Sequence, residues 1–211
     1  MKKSPDIIWY DTIDSTNDEA RRRISELDNL SVIAAIRQTA GRGQGDHKWH
    51  SREGENLTFS AVLKFGTPSA LAPLDARDAI VITQIVTGAL RRFLLGKGIN
   101  ARIKWPNDIY VGDKKICGIL IENILSGKEV SSSVIGIGLN VNQLQFPQDL
   151  PNPVSMAQLT SEQYDIKAVL EEFCAQLRRS ALRSNTPAGR ESLSKDFYKH
   201  MFKLPGETRE I

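Results

Sequence analysis

The sequence has few of the residues that indicate an extracellular, membrane-spanning or metal-binding protein. Its two cysteines, Cys117 and Cys174, lack CxxC spacing and are expected to be reduced thiols. Its three histidines, His47, His50 and His200, have no metal-binding spacing. We find no apolar run with the length of a secretory signal or of a membrane span, which needs about 18–20 such residues. We therefore expect a cytoplasmic protein that binds no membrane.

An excess of charge of one sign is also missing. The 211 residues include 28 Lys and Arg against 25 Asp and Glu, a formal net charge of +3. A surplus this small does not make nucleic acid the expected partner. A hydrophobic share of 40% and a charged share of 25% exclude a disordered chain and are typical of one or two globular domains. A nucleic-acid-binding regulatory module, suggested only by a pI of about 8.9, is the alternative from another functional class.

Hydrophobic periodicity predicts a fold of the α+β class. Strands are predicted at residues 7–11, 32–37, 57–63, 101–105, 116–124 and 134–141. Helices are predicted at residues 20–27, 73–96, 166–183 and 190–202, with Ser15 and Asp18 in a capping box before the first. Residues 143–153 contain three prolines and are predicted to form a loop. We expect one main domain with a mixed, largely antiparallel sheet packed against helices.

A glycine-rich segment runs from Thr39 to His47 and has Arg42 between two of its glycines. Closely spaced glycines let several backbone N–H groups approach an anion, and an arginine can bind a phosphate or carboxylate with both arms. The segment lacks the Gly-Lys-Ser/Thr ending of a P-loop, and a strand follows it where the dinucleotide-binding fingerprint needs a helix. It is therefore either an anion-binding loop of another kind or a flexible connection between strands.

A second segment, Lys104-Trp105-Pro106-Asn107-Asp108, ends a predicted strand. The lysine places a positive charge at the end of the strand, and the proline directs the chain out of the sheet. The carboxylate of Asp108 suits either a magnesium ion that accompanies a triphosphate or the orientation of the turn. Taken alone, the segment is equally typical of an ordinary strand exit with a solvated lysine.

Two further patches carry polar groups at the ends of elements. Ser15, Thr16 and Asn17 begin the first helix, where they either cap it or contact a neutral polar ligand, as Gln38 also can. The last predicted strand contains Gly136-Ile137-Gly138-Leu139-Asn140. Glycines inside a strand indicate that another group packs closely against the backbone.

These patches together resemble the ordered motifs of the biotin protein ligases. The resemblance covers the chain from about Ile7 to Asn142, and its most specific parts are Gly-Arg-Gly and Lys-Trp-Pro-Asn-Asp. The motifs that carry it are Ser15-Thr16-Asn17, Gln38-Thr39-Ala40-Gly41-Arg42-Gly43, Lys104-Trp105-Pro106-Asn107-Asp108, Gly118-Ile119-Leu120-Ile121-Glu122 and Gly136-Ile137-Gly138-Leu139-Asn140. The resemblance implies a catalytic domain with a fold similar to that of class II aminoacyl-tRNA synthetases.

The resemblance also implies a reaction in two steps. Members of the family use ATP and Mg²⁺ to convert biotin to biotinyl-5′-AMP with release of pyrophosphate. They then transfer biotin to a lysine of a biotin carboxyl carrier domain, the implied protein partner; whether the protein forms a homodimer is left open. Lipoate ligases and octanoyltransferases, which resemble biotin ligases in fold, are the alternative within the enzymes.

The resemblance also gives residue roles. It implies that Lys104 and Arg42 are catalytic, with Lys104 the only lysine at the reacting centre. Asp108 is a candidate ligand of Mg²⁺ on account of its carboxylate. The implied biotin-binding residues are Ser15, Thr16, Asn17, Gln38, Gly41, Arg42, Gly43, Lys104 and Gly118. The implied nucleotide-binding residues are Arg42, Gly43, Gln44, Trp49, Asn107 and Asn140.

The sequence departs from the family pattern at three places. Many members carry a second arginine after Gly-Arg-Gly, where this chain has Gln44, which leaves the retention of the adenylate open. We expect no N-terminal DNA-binding domain, because the first predicted strand begins at Ile7. We expect the catalytic domain to span residues 1–205, and residues 206–211 to be a stub of a truncated or absent C-terminal SH3-like barrel.

Overall fold

Eight strands form a single mixed sheet in the computed structural model, which describes residues 6–45, 47, 49–68 and 70–202. The strands are β1 (Ile7–Ile13), β2 (Val32–Gln38), β3 (Leu57–Lys64), β4 (Arg102–Lys104), β5 (Asp108–Val111), β6 (Lys114–Ser126), β7 (Glu129–Leu139) and β8 (Met201–Phe202). Their order across the sheet is β1-β2-β3-β7-β6-β5-β4-β8. Among these strands, β1 with β2 and β4 with β8 pair in parallel, and the other pairs are antiparallel. The predicted mixed, largely antiparallel sheet is confirmed.

Helices cover both faces of this sheet. They are α1 (Thr16–Arg22), α2 (Ile80–Gly96), α3 (Met156–Thr160), α4 (Ile166–Arg183) and α5 (Pro187–His200). Along β3, Phe59 and Ala61 belong to the large apolar core that includes α2, α4 and α5. The residue after Ala61, Val62, packs instead with Ala20 of α1. Because successive strand residues point to opposite faces, α1 lies on the face opposite the three long helices.

Helix boundaries differ from the sequence-based expectation. Helix α1 begins directly after Ser15, whose hydroxyl accepts a hydrogen bond from the backbone N–H of Asp18, so Ser15 is confirmed as the cap. The reciprocal half of the predicted capping box is wrong, because the backbone N–H of Ser15 donates to Asp14, and the predicted range 20–27 is wrong as well. Helix α2 begins at Ile80 instead of Pro73, because Asp75 caps a separate 3₁₀ turn, Ala76–Asp78. The last two residues of the predicted helix 190–202 form β8, which pairs with β4.

Two elements were not predicted. Strand β5 lies in a stretch interpreted only as a strand exit and turn, and it pairs with both β4 and β6. Helix α3 follows the proline-containing loop, and Ser155 and Gln158 cap it reciprocally. Both elements are only four or five residues long, too short to show a hydrophobic period.

The stretch Ala76–Gly96 has the length and apolar composition of a membrane span, which the sequence analysis did not recognise. In the structure 67% of its apolar window is buried inside the protein. Ile82, Ile85 and Leu90 are inaccessible to solvent and belong to the large apolar core. This burial is typical of the core helix of a globular domain.

The expected division of the chain at residue 205 stays a prediction. The expected boundary and residues 206–211 lie outside the described residues.

Candidate active site

Three glycines on neighbouring strands form the floor of a cavity on the α1 face of the sheet. Gly118 of β6 is opposite Gly138 of β7, and Leu120 is opposite Gly136. A Cβ atom added at Gly136 would overlap the side chain of Asn17. The predicted close packing against these strand glycines is confirmed, because only the missing side chains let Asn17 and Trp49 approach the strands this closely.

The polar wall of this cavity comes from the start of α1 and the end of β2. The side-chain oxygen of Gln38 accepts hydrogen bonds from the backbone N–H of Thr16 at 2.8 Å and from its hydroxyl at 3.1 Å. The Ser60 hydroxyl lies within hydrogen-bonding distance of Thr16 and Asn17. Ser15, Thr16, Asn17 and Gln38 all line the cavity. The structure therefore brings together four of the residues to which the sequence assigned biotin binding, and Ser15 caps the helix as well.

The glycine-rich segment folds back on itself and places an indole over the cavity floor. The backbone N–H of Gly43 donates to the carbonyl of His47 at 2.7 Å, and that of Trp49 donates to Gly41 at 3.1 Å. The Trp49 ring lies against Gly118 and Gly138, where a Cβ added at Gly118 would be 2.9 Å from the ring. The indole Nε1 is buried and has no hydrogen-bond partner among the described residues. An unpaired buried donor costs free energy, so this position favours a ligand that supplies an acceptor.

Arg42 lies at the rim of the same cavity, where it contacts two carboxylates. Its guanidinium is 2.6 Å from Asp18 of α1 and 3.0 Å from Glu122 of β6. Partial burial lowers the pKa of Arg42. The negative charges of Glu122 and Asp18 raise this pKa by more than burial lowers it, so the pKa lies above the ordinary value. Burial likewise raises the pKa of Glu122, whereas the hydrogen bond from Asn17 and the charge of Arg42 together bring it below the ordinary value. Both groups are charged at neutral pH.

A second cavity, of about 440 Å³, adjoins the first and contains Lys104. Lys104 ends β4, and its ammonium nitrogen is 5.5 Å from the centre of the Tyr110 ring. The apolar side of this cavity is formed by Phe146, Leu150, Pro151 and Pro153. The residues that line both cavities are Gly43, Gln44, Trp49, Asn107, Asp108 and Lys115. The two cavities are therefore parts of one cleft.

Lys115 is a residue of this cleft that the sequence analysis missed. Its ammonium group is 2.7 Å from Asp108, and it lines both cavities. The expectation that Lys104 is the only lysine at the centre is therefore wrong. Lys115 follows a turn next to the exposed Lys114, a context typical of solvated lysines, and only the pairing of β5 with β6 turns it into the cleft.

The two asparagines predicted to bind nucleotide also support the walls of the cleft. The Asn107 side chain donates to the carbonyl of Ile119 at 3.0 Å, and that of Asn140 donates to the carbonyl of Val154 at 3.0 Å. Asn107 thereby holds the turn before β5 against β6, and Asn140 holds the loop that precedes α3. Their contacts with a nucleotide stay predictions.

The donor set around Asp108 does not form a protein cage for a metal ion. No group of three His, Cys, Asp or Glu side chains able to hold a metal occurs in the part of the chain that the structure describes. Asp108 itself is next to the ammonium group of Lys115. Magnesium often binds through one or two carboxylates and the phosphates of its substrate. The predicted role of Asp108 as a magnesium ligand thus depends on a nucleotide that brings most of the ligands.

A buried amide pair joins the two loops that frame the cleft. The Asn56 side chain donates to the side-chain oxygen of Gln143, and its own oxygen accepts from the backbone N–H of Val141 at 2.9 Å. The backbone N–H of Asn142 donates to the carbonyl of Glu55 at 2.7 Å. These bonds hold residues 55 and 56, which follow the glycine-rich segment, against the loop that follows β7.

We expect the substitution Gln143→Leu to lower the free energy of unfolding by about 1–3 kcal/mol, because it leaves the buried amide of Asn56 without its acceptor. Urea unfolding followed by circular dichroism measures this change. Gln145→Leu, at an exposed position two residues later, is the matched control and is expected to change stability by less than about 0.5 kcal/mol. Equal effects of the two substitutions would show that the amide pair does not support the loops.

Comparisons with known proteins agree with this geometry. The profile of the biotin/lipoate A/B protein ligase family matches residues 9–140. The chain is 35% identical over 172 residues to the bifunctional ligase/repressor BirA of Bacillus spizizenii, covering 79% of this chain and 51% of that protein. It is 34% identical over 128 residues to the biotin–[acetyl-CoA-carboxylase] ligase of Paracoccus denitrificans, covering 61% of this chain and 51% of that protein. The chain thus spans about half the length of these relatives.

A solved structure extends the similarity to nearly the whole chain. The biotin protein ligase of Aquifex aeolicus in complex with biotin and ATP superposes with a TM-score of 0.75 at 27% identity. The superposition covers 94% of this chain and 79% of that chain. The expected fold, that of a biotin protein ligase catalytic domain, is confirmed.

Proposed function

Because the chain belongs to the biotin/lipoate A/B protein ligase family, we propose that it is an ATP-dependent biotin protein ligase. In the first step an oxygen of the biotin carboxylate attacks the α-phosphorus of ATP. The bond from that phosphorus to the bridging oxygen breaks, and biotinyl-5′-AMP and pyrophosphate form. In the second step the neutral amine of an acceptor lysine attacks the acyl carbon, AMP leaves, and the nitrogen loses a proton as the amide forms.

One observation carries this proposal: the two cavities share six lining residues and differ in chemistry. The first has a glycine floor and a wall of neutral hydroxyl and amide groups, which suits the fused rings and ureido group of biotin. The second has the positive charge of Lys104 and an apolar side, which suits the phosphates and the base of a nucleotide. The Aquifex aeolicus ligase, with its bound biotin and ATP, supports this assignment by similarity.

The chemistry of the first step agrees with the residues in the cleft. Two anions, a carboxylate and a triphosphate, must approach each other, so positive charge is needed where negative charge accumulates. Lys104 and Lys115 bring such charge to the second cavity. Mg²⁺ accompanies the triphosphate as part of the substrate and would neutralise its charge.

The substrate carboxylate is itself the nucleophile, so the reaction needs no activated side chain. The thiol of Cys117 is buried beneath the cleft, and burial raises its pKa well above the ordinary value. Burial also raises the pKa of Cys174 to about 12. Neither thiol is a thiolate at neutral pH, and neither is suited to covalent catalysis.

The acceptor that we propose is a lysine of a biotin carboxyl carrier domain in the cytoplasm. The chemistry of the second step favours an acceptor that presents an exposed lysine to a cleft, since the proposed arrangement puts the acyl carbon where the two cavities meet. Whether the protein forms a homodimer is left open by the sequence. Analytical sedimentation of the purified protein measures its mass in solution and tests this.

Biotin-dependent exchange of labelled pyrophosphate into ATP tests the proposed activity. We expect exchange with biotin and no exchange above background with lipoate, octanoate or no acid, because lipoate and octanoate lack a ureido group for the polar wall. Exchange with lipoate alone would instead assign the chain to lipoate ligation, the alternative within the same family. Absence of exchange with every acid would contradict the proposal.

A further inference from the structure

Arg42 is fully engaged with protein carboxylates at the rim of the first cavity. One terminal nitrogen, Nη1, is 2.6 Å from Asp18 and 3.4 Å from Glu122, and the other, Nη2, is 3.0 Å from Glu122. The sequence-based expectation gave this arginine the anionic end of the substrate. In the structure both of its arms already bind carboxylates, so a substrate anion would have to displace two negative charges to reach it.

These contacts connect three separate parts of the chain. Arg42 belongs to the glycine-rich segment, Asp18 to α1 and Glu122 to β6. Arg42 lines the cavity, whereas Asp18 and Glu122 do not, so the bridge lies at the outer side of the rim. The Glu122 side chain is only 16% exposed, against 42% for Arg42. The glycine-rich segment is therefore fastened across the rim by a carboxylate that is itself anchored in the sheet.

Glu122 also fixes a residue of the cavity wall. Its second oxygen accepts a hydrogen bond from the side-chain amide of Asn17 at 2.8 Å. The amide oxygen of Asn17 meets the Ser60 hydroxyl, so both ends of the amide are held. Asn17 is buried and lines the cavity. The position of the glycine-rich segment and the orientation of the Asn17 side chain therefore both depend on the carboxylate of Glu122.

We propose that Glu122 is a positioning residue that latches the glycine-rich segment over the first cavity through Arg42 and aligns Asn17 for the ligand. Arg42 then retains the ligand by holding the loop and does not bind the ligand's carboxylate. This inference rests on the proposed function, since it takes biotin as the ligand of the first cavity. It assigns the anionic end of the ligand to the lysines of the second cavity.

The latch and a direct anion contact predict different responses to ligand charge. In biotinol a hydroxymethyl group replaces the carboxylate of biotin, while the rings and the ureido group are unchanged. If Arg42 binds the carboxylate, Arg42→Ala weakens biotin and leaves biotinol unaffected. If Arg42 holds the loop closed, Arg42→Ala weakens the binding of biotin and of biotinol by the same factor, because the loop covers the fused rings that both ligands contain.

The test measures dissociation constants and dissociation rates of both ligands for the Arg42→Ala and Glu122→Gln variants. We expect each variant to release biotin and biotinol about ten- to hundredfold faster, the effect of losing a charge-assisted hydrogen bond. Association rates are expected to rise as well, by a smaller factor, because the bridge is present without a ligand and must open for entry. The double variant is expected to release the ligands little faster than Arg42→Ala alone, because that variant already removes the bridge to Glu122.

Arg21→Ala is the matched control. Arg21 binds the same Glu122 at 3.1 Å, and no hydrogen bond or ion pair joins its side chain to the described residues of the glycine-rich segment. Its loss is expected to change ligand release by less than about twofold. If Arg21→Ala sped ligand release as much as Arg42→Ala does, the loss of any partner of Glu122 would explain the result, and the proposed latch would be overturned. Loss of biotin binding alone, with biotinol unchanged, would also overturn it.

Two further arms separate this inference from other failures. Asp18→Asn removes the other carboxylate of the bridge and decides the question if Glu122→Gln does not fold; it is expected to speed release of both ligands. If the unmodified protein binds neither ligand, the proposed function fails. If it binds both and the Arg42 variant releases them at the original rate, only the latch fails.

Discussion

The Lys104→Ala variant is expected to lose biotin-dependent pyrophosphate exchange by about 10²–10³-fold, the range measured when one group that stabilises a transition-state charge is removed. Its affinity for biotin is expected to fall by a much smaller factor, because Lys115 remains near the carboxylate of biotin and the polar wall of the first cavity is unchanged. Exchange measured at saturating biotin and ATP gives the first quantity, and calorimetric titration with biotin gives the second.

Two other lysines make this result specific. Lys114 is exposed next to the cleft, and Lys114→Ala is expected to retain full exchange. Lys115→Ala leaves Asp108 without its ion pair and is expected to reduce exchange by a smaller factor than Lys104→Ala. If Lys104→Ala exchanged at the original rate and Lys115→Ala were inactive, Lys115 would be the cation of the reacting centre.

The Gly138→Ala variant is expected to weaken biotin binding by about ten- to hundredfold, which corresponds to the roughly 1–3 kcal/mol typical of an added methyl group in a packed site. A Cβ atom at this position overlaps the Trp49 indole and stands on the floor of the first cavity. Since Trp49 belongs to a surface loop, the loop can shift, and the fold is expected to remain intact. Calorimetric titration with biotin measures the loss.

Gly96→Ala is the matched control for this substitution. Gly96 is the last residue of α2, has open space around it and does not line either cavity. We expect its replacement to leave biotin affinity unchanged. If Gly138→Ala bound biotin as tightly as the unmodified protein, the glycine floor would not be the biotin site.

The glycines of the last strand show what could be predicted from the sequence. Gly136 and Gly138 alternate within an apolar strand, and a missing side chain at such positions has few explanations besides a close neighbour. The identity of the neighbours, Asn17 and Trp49, could not be predicted. It depends on the register between β6 and β7 and on the path of the glycine-rich segment, which no local pattern encodes.

The partners of Arg42 show the opposite case. The sequence indicates an arginine able to bind an anion, and the carboxylate of a substrate was the natural choice. The structure supplies Glu122 from a strand 80 positions away in the chain. Pairing over such a distance depends on the order of strands in the sheet, and a motif cannot predict it. The resemblance named the segment around Glu122 without giving that residue a role.

Lys115 and β5 were missed for a related reason. A four-residue strand has no detectable period, so the segment after Lys104 was interpreted as a turn. Without β5, the next strand has no partner that turns Lys115 toward the cleft. The extent of α4 and the end of α2 were predicted closely because the apolar spacing of both helices repeats over several turns.

A crystal structure of this protein grown with biotin and ATP tests the central claim most directly, namely that the two cavities form one site for a biotinyl adenylate. We predict that the fused rings will lie in the first cavity, beside the Trp49 indole and against Ser15, Thr16, Asn17 and Gln38. The phosphate is predicted next to Lys104, and the base in the cavity lined by Asn140. Biotin bound outside the glycine-floored cavity, or a nucleotide bound away from Lys104, would contradict the account.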